Sequence, residues 1–430
     1  MLDIKVIRDD PEAARQGAIK KRFADRAAAV DRLLEADEKL RALIPEIDGM
    51  RTAQKAAAKR MGKLSADERQ AHLEEQKKAK QELHQLEERE KELRAAVREN
   101  QMLVPMIPDP EVPDGDDDTG NVELRTVGEV PTFDFELRPH QDLAEAQGWL
   151  DVQRAGHLAG SRNYYLFGDL ALLQDAALRF AADRLIAKGY VAVDPPLLVR
   201  DIAMRGTAFF PGGEEQTYSC GHDDLYLIGT SEVPVTALHG DSILDEAELP
   251  KLYVARSTCF RREAGTYGKD TKGLYRVHQF QKVEQVVVDI ADEGRSKEHH
   301  QAILQNSEEI LQALQIPYRV VNVCSGDLGV GQVQKFDIES WMPSRESYGE
   351  THSASRFYDY QARRLALRYR RAEDRKTAFC HTLNNTALAS PRVLIPLLEI
   401  HQLPDGRVAV PEVLRPYLGG RETIGRPLNG

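Results

Sequence analysis

The chain has 430 residues, 41% of them hydrophobic, enough for one large domain with a sizeable core plus an appendage. A formal net charge of −11 excludes a uniformly basic nucleic-acid binder and leaves only a local basic patch for such a role. No apolar run approaches the ~18 residues that span a bilayer, the opening Met1-Leu2-Asp3-Ile4-Lys5 lacks a signal peptide's apolar core, and Cys220, Cys259, Cys324 and Cys380 form no Cys-x-x-Cys pair; the expectation is a cytoplasmic chain with no membrane partner, no zinc and no disulfide framework.

Asp10 followed by Pro11 reads as an N-cap with proline at the first helical position, opening a short helix. From Leu33 an apolar heptad takes over, through Ala36, Leu40, Leu43, Ile47, Met50, Ala57 and Met61, with Gln54 as a polar interruption. Gly62 can end that helix, and Ser65-Ala66-Asp67-Glu68 reads as a capping box that starts another. On the return, Gln76, Ala79, Leu83, Leu86, Glu90, Leu93 and Val97 keep the spacing less cleanly. Two such polar helices have little to bury against except each other, so an antiparallel hairpin over about residues 30–100 is expected. From Arg51 to Lys80 basic residues outnumber acidic ones nine to four, which makes the hairpin tip positive. Mixed charge on a coiled coil is ordinarily a solvated face; the same side chains would serve an RNA-binding arm.

Val104-Pro105, Pro108, Pro110, Pro113 and the acidic run Asp114-Gly115-Asp116-Asp117-Asp118 read as a hinge. The domain boundary is placed there, giving an N-terminal helical domain at 1–110 and a second domain at 111–430. Asp169 is expected to cap a helix whose Leu170, Leu173, Ala177, Phe180, Ala181 and Leu185 face inward and which Gly189 closes. Tyr190 to Leu198 reads as one strand behind it. Gly229-Thr230-Ser231-Glu232, after the strand-like Leu225-Tyr226-Leu227-Ile228, reads as an N-cap before a helix from Val233.

The strongest chemical signal lies between Cys259 and Glu284. Leu252-Tyr253-Val254 before it and Val286-Val287-Val288 after it predict two antiparallel strands, joined by a long loop that carries Arg261, Arg262 and Glu263 at one end. Along the second strand the period of two puts His278, Phe280, Lys282 and Glu284 on one face. A flat cation, a stacking ring and an anion suit a nucleotide, although a solvated hairpin would also carry charge. Further on, Tyr348-Gly349-Glu350-Thr351-His352-Ser353 follows the strand-like Phe336-Asp337-Ile338-Glu339. Glu350 and Ser353 offer hard oxygens of the kind Mg²⁺ takes alongside substrate phosphates and waters. Ser390 and Pro391 read as a cap and first helical position, placing Arg392 in an opening turn that favours phosphate; Pro396 is expected to bend that helix early.

The string Phe260-Arg261-Arg262-Glu263-Ala264-Gly265, continued by Arg276-Val277-His278-Gln279-Phe280-Gln281-Lys282-Val283-Glu284, resembles motif 2 of the class II aminoacyl-tRNA synthetases and is specifically similar to the seryl-tRNA synthetases. Gly189, Tyr190, Val193, Pro196, Leu197 and Leu198 resemble the degenerate motif 1, and Thr382 to Arg392 resembles motif 3. The resemblance implies an α+β fold: a catalytic domain at 111–430 built on an antiparallel β-sheet flanked by helices, and an N-terminal antiparallel α-helical coiled-coil arm that binds tRNA. It implies a homodimer through motif 1. It implies that L-serine and ATP react with Mg²⁺ to form seryl-adenylate, and that serine then passes to the 3′ end of tRNA(Ser), or of tRNA(Sec) where the organism has one.

Carried over residue by residue, Thr230, Ser231, Glu232, Arg261, Glu284, Asn384 and Thr386 would hold serine. Arg261, Arg262, Glu263, Val277, Phe280, Glu350, Thr351, His352, Ser353 and Arg392 would hold ATP, and Glu350 and Ser353 the metal. Arg51, Lys55, Lys59, Arg60 and Lys63 would hold tRNA. Gly349 departs from the family, which generally has arginine there. Three rivals stand beside this reading: a class II synthetase for another small amino acid, an amino-acid:carrier-protein ligase, and a coiled-coil scaffold without catalysis. The Thr230-Ser231-Glu232 loop argues against the first, the arm against the second and the motif 2 constellation against the third.

Overall fold

The structure, a computed structural model, describes residues 1–61, 65–265 and 273–428. Gly62, Lys63 and Gly268 thus lie outside the described residues. The chain divides into two compact units, Met1–Ile107 and Pro108–Gly430.

In the first unit, short helices Ile4–Asp9 and Pro11–Lys20 precede two long ones, Ala24–Arg60 and Ala66–Leu103. Asp10 caps the second short helix through a 2.9 Å bond from the Ala13 N–H, with Pro11 at its first position. Leu33, Ala36, Leu40 and Ile47 of one long helix and Leu83 and Leu93 of the other are buried, while Met50, Gln54, Ala57, Gln76, Ala79 and Leu86 are half-buried. The heptad seam therefore packs best near its base. Burial of a Leu or Ile side chain is worth ~1.5–3 kcal/mol, so the base stabilises the hairpin more than the tip does. The capping box forms, with the Ser65 N–H donating to Glu68 Oε2 at 2.9 Å. Arg51 reaches across the hairpin and donates to Glu87 Oε1 at 2.8 Å.

The second unit is organised on an eight-stranded sheet. Its strands are β1 (Val122–Val127), β2 (Val191–Val193), β3 (Lys251–Phe260), β4 (Gln279–Asp289), β5 (Tyr318–Asn322), β6 (Gln334–Met342), β7 (Ser347–Tyr358) and β8 (His381–Ser390). The spatial order is β1-β5-β6-β7-β8-β4-β3-β2, with every neighbouring pair antiparallel except β2 and β3. Helices Gly168–Ala187 and Glu293–Ala313 supply Leu173, Phe180, Ile303 and Leu311 to the same core as Val283, Val287, Ile338 and Leu383 of the sheet. Val286, Val287 and Val288 are all fully buried, as a strand covered on both faces requires. Among the described residues no helix is long and apolar enough to cross a membrane.

Four local expectations are corrected. Asp169 does not cap its helix, which starts at Gly168 with Phe167 at the cap position; its carboxylate instead takes Arg421 Nη1 at 2.5 Å and the Gly425 N–H at 3.1 Å. Tyr190 to Leu198 is not one strand: Asp194-Pro195-Pro196 interrupts it, because proline gives no ladder donor, and Leu198–Arg200 joins a separate three-stranded sheet. Ser390 ends β8 and donates to Gln174 Oε1 at 2.9 Å rather than capping, and the helix that follows spans Leu394–Ile400, so Arg392 precedes it. Pro396 falls in the first turn of that helix, where a missing N–H costs nothing, and needs no bend.

Candidate active site

The antiparallel register Phe260↔Gln279, Cys259↔Phe280 and Ala255↔Glu284 brings both ends of the Arg261–His278 connection to one edge of β3 and β4. β8 lies on the other side of β4, and β7 beyond it. From these strands and their connections Arg261, Glu263, Leu274, Tyr275, Arg276, Val277, Phe280, Lys282, Glu350, Thr351, Thr386 and Arg392 line a single pocket.

One wall is cationic and aromatic. The Arg261 guanidinium lies over the Phe280 ring at 5.2 Å, and that of Arg392 over the Tyr275 ring at 4.3 Å. Arg392 is fixed by two carbonyls, Tyr275 O at 3.1 Å from Nε and Glu350 O at 2.8 Å from Nη1. Glu263, at a left-handed φ of 51°, pairs with Arg276 Nη1 at 2.8 Å. Such a preformed set of planar cations suits a polyphosphate and a flat base.

Behind Lys282, which lines the pocket, lies a buried acidic cluster that is not itself part of the lining. Lys282 and Glu284 form a buried ion pair on the face that also carries Phe280. Glu232, 8% exposed, accepts from Gln361 Nε2 at 2.7 Å, and its carboxyl is pushed up to about 7, by burial first and by the Glu284 charge second. Burial raises Glu284 as well, against the opposing charge of Lys282. Thr230 Oγ1 accepts from the Glu232 N–H at 3.2 Å and helps form the turn, while Ser231 holds the cap position of the helix Glu232–Ala237 without a side-chain cap bond. Ser231 Oγ is buried with no hydrogen-bond partner among the described residues, and the Asn384 side chain lies beside the Glu232 carboxyl. A buried polar atom left unpaired points to a polar ligand that completes it.

A second acidic group sits on β6 and β7. Glu350 is half-exposed, its side chain at 52%; against the penalty of desolvation, Arg392 and Lys335 hold it below the ordinary carboxylate range. Beside it Asp337 is buried and raised to about 7, by burial first, with Lys335 opposing and Glu350 adding to the rise. Asp337 Oδ1 has no hydrogen-bond partner among the described residues, while Lys335 lies 3.4 Å from Asp337 Oδ2 and 3.5 Å from Asp327 Oδ2. An ionised Glu350, the Ser353 hydroxyl facing Asp337 and an unpaired carboxylate oxygen are a donor set that a hard cation keeping its waters would fit. No cluster of three or more His, Cys, Asp or Glu side chains suited to a metal occurs among the described residues.

Not every residue singled out in the sequence reaches the pocket: Thr230, Ser231, Glu232, Glu284, Asn384 and Ser353 lie outside its lining. Arg262 turns away, its Nη1 donating to Glu215 O at 3.1 Å. His352 is buried inside the sheet between Thr351 Oγ1 at 2.8 Å and Ala387 O at 3.1 Å, and burial takes its imidazole down to about 4. Thr351 borders the pocket, but its hydroxyl is occupied by Ser340 at 2.8 Å. In the arm, Lys55, Lys59 and Arg60 are exposed, Arg51 is tied to Glu87, and Lys63 lies outside the described residues. Tyr275 and Asp337 were missed. The signal for Asp337 was a carboxylate between Phe336 and Ile338 in a strand of the sheet; for Tyr275 there was none, since only the fold brings Arg392 and Arg345 to its ring.

Comparison with known proteins gives concordant matches. A family described as the seryl-tRNA synthetase N-terminal domain matches residues 1–108, and the class II tRNA synthetase core domain (G, H, P, S and T) matches residues 217–401. The serine–tRNA ligase of Deinococcus radiodurans is 45% identical over 428 residues, covering 100% of both chains, and that of Thermomicrobium roseum is 42% identical, covering 99% of this chain and 95% of its own. The crystal structure of seryl-tRNA synthetase from Pyrococcus horikoshii complexed with ATP superposes with a TM-score of 0.93 at 39% identity over 100% of both chains. The cytoplasmic serine–tRNA ligase of Naegleria fowleri in complex with AMP gives 0.87 at 34% identity, covering 100% of this chain and 99% of that one.

Proposed function

We infer the chemistry from one premise: the chain belongs to the seryl-tRNA synthetases. It activates L-serine with ATP to seryl-adenylate, releasing pyrophosphate, and transfers serine to the 3′ end of tRNA(Ser). The observation that carries the assignment to this pocket is its two-arginine, two-aromatic wall together with Lys282, which lines it and pairs with the buried Glu284 behind it.

In the first step the serine carboxylate attacks the α-phosphorus in line, and the barrier is repulsion between two anions. Arg261 stands where its guanidinium can bridge carboxylate and α-phosphate, and Arg392 takes charge that grows on the departing phosphates. Neither needs to move far, since carbonyls already orient both. Phe280 offers the stacking face for adenine, and the backbone of Val277 the pocket edge. Glu263, held by Arg276, is the acceptor for the adenine amino group. Glu350 and Ser353, with Asp337 behind them, would hold Mg²⁺, which supplies charge neutralisation to the phosphates when bound.

Behind the lining Glu284, paired with Lys282, receives the serine ammonium, and Thr386, Asn384 and the Thr230-Ser231-Glu232 turn surround the side-chain hydroxyl. A pocket that pairs a buried hydroxyl rejects alanine and glycine by ~10⁴ or more, because its own polar groups are then left bare. Threonine is excluded by size. No side chain acts as a nucleophile.

The 1–110 domain serves as the tRNA-binding arm, with exposed Lys55, Lys59 and Arg60 reaching phosphates; Arg51 contributes on release of Glu87. A homodimer through the motif 1 region accounts for the exposure of Leu172, Ile186, Val191, Leu198 and Ile202 there and for β2 standing at the sheet edge. The site of action is the cytoplasm, and tRNA(Sec) is a further acceptor where it exists. ATP–pyrophosphate exchange with each amino acid in turn tests the reading: serine alone should support exchange, and exchange driven by another amino acid at a comparable rate would replace it.

A further inference from the structure

We propose that His140 and Glu399 form a positioning pair that sets the nucleotide wall of the pocket by gripping the backbone of Leu274. The proposal rests on the reading of Tyr275, Val277 and Arg392 as nucleotide contacts.

Glu399 is fully buried in the helix Leu394–Ile400, and His140 opens a short helix far away in sequence. His140 Nδ1 lies 2.7 Å from Glu399 Oε1, and the His140 backbone N–H donates to the same oxygen at 2.9 Å. A carboxylate can only accept, so Nδ1 carries the proton and Nε2 is the acceptor. Into that lone pair the Leu274 N–H donates at 3.2 Å. Leu274 is itself fully buried, and it leads directly into Tyr275, Arg276 and Val277. The preceding Gly273 has a φ of +75°, and a Cβ there would collide with Nε2; glycine is what lets the ring close on the chain.

The other side of the same carboxylate holds a second piece of the wall. Ser344 donates its N–H to Glu399 Oε2 at 2.9 Å and its hydroxyl to Oε1 at 2.7 Å. The turn so held, Pro343–Arg345, lays the Arg345 guanidinium over the Tyr275 ring at 4.3 Å, the same distance as Arg392. One buried carboxylate thus fixes Tyr275 twice, through His140 along the chain and through Ser344 across the ring. Tyr275 in turn holds Arg392 by its carbonyl. The pair touches no substrate; it acts by orienting groups that do.

The two amides separate this role from simple packing. Asn at 140 keeps a donor near the Nδ1 position for Glu399 but cannot reach Leu274; Gln extends an acceptor to the Nε2 position. Pyrophosphate exchange is run on wild type, His140→Asn and His140→Gln with ATP and serine varied separately, together with thermal melts. His140→Asn is expected to raise the KM for ATP about tenfold, the scale for orphaning one buried donor, with the KM for serine within about twofold of wild type. His140→Gln should recover most of the ATP affinity. Unchanged KM for ATP in His140→Asn, an equal rise in both KM values, or a Gln variant as impaired as the Asn variant would overturn the proposal. If His140→Asn does not fold, Gly273→Ala wedges a methyl against Nε2 from the loop side, and the same split between the two KM values is read. Wild-type exchange is the control: its absence with serine sinks the functional reading, whereas its presence beside an unaltered His140→Asn sinks this inference alone.

Discussion

Lys282→Met tests how the Lys282–Glu284 pair recognises an amino group. The Lys282 and Glu284 side chains are 7% and 2% exposed, so solvent screens their pairing little. Breaking a buried pair from one side ordinarily costs ~3–5 kcal/mol if the remaining charge must stay. Glu284 has a cheaper course: with its main opposing cation gone, burial raises it further and favours its protonated form. A neutral Glu284 loses its charge-assisted bond to the serine ammonium, worth ~1.5–3 kcal/mol, which at ~1.4 kcal/mol per decade is ~10–150-fold in the KM for serine. The KM for ATP should change by less than about threefold. Because the loss is a protonation, it should shrink as pH rises and Glu284 ionises again. Exchange kinetics at pH 6.5 to 9, with serine varied at saturating ATP, would read this; a serine KM within about twofold of wild type at pH 7, or an elevated KM that does not fall with pH, would refute the reasoning.

Arg261→Ala and Arg392→Ala should each slow adenylation by roughly two or more orders of magnitude, the scale for losing a preorganised charged donor, and Arg261→Lys should not restore it, since a point charge cannot bridge two oxygens; single-turnover adenylate formation would show either. Glu232 is raised to about 7 in the folded protein, so its contribution to stability is fully present below the unfolded value near 4.5 and is lost as pH rises through 7, a swing of roughly 3 kcal/mol at most. Glu232→Gln, which can still accept from Gln361, should therefore gain stability over wild type at pH 8 but not at pH 4.5; urea melts showing the same difference at both would contradict the buried-carboxyl account. Replacing residues 35 to 95 with a short linker should spare pyrophosphate exchange and steeply reduce tRNA charging, and neutralising Lys55, Lys59 and Arg60 should flatten the salt dependence of tRNA binding by ~0.7–0.9 log units per log[salt] for each phosphate no longer neutralised. Equal loss of exchange and charging in the deletion would mean that the arm does not hold the tRNA.

What could be read from the sequence is what periodicity carries. The heptads at Leu33 to Ile47 and at Leu83 and Leu93 are the buried seam, and the alternation Phe280, Lys282, Glu284 is one face of β4, on which Phe280 and Lys282 line the pocket and Glu284 pairs with Lys282 behind it. Terminal signals were weaker guides. Asp169 and Ser390 both look like helix caps, yet each finds a stronger partner from a distant segment, Arg421 and Gln174, that local propensity cannot anticipate. Arg262 and His352 sit inside motif strings, but one is claimed by a neighbouring turn and the other by the sheet interior. His140 and Glu399 were invisible for a related reason: they are 259 positions apart, and nothing in either's local sequence records the other.

The most direct measurement is charging of a tRNA(Ser) transcript with radiolabelled amino acid and ATP, run in parallel for serine, threonine and alanine. The account predicts that acid-precipitable label accumulates on the tRNA with serine, and that threonine and alanine stay at background. Absence of charging with serine under conditions where the protein is folded, or charging with threonine or alanine at a rate comparable to serine, would contradict it.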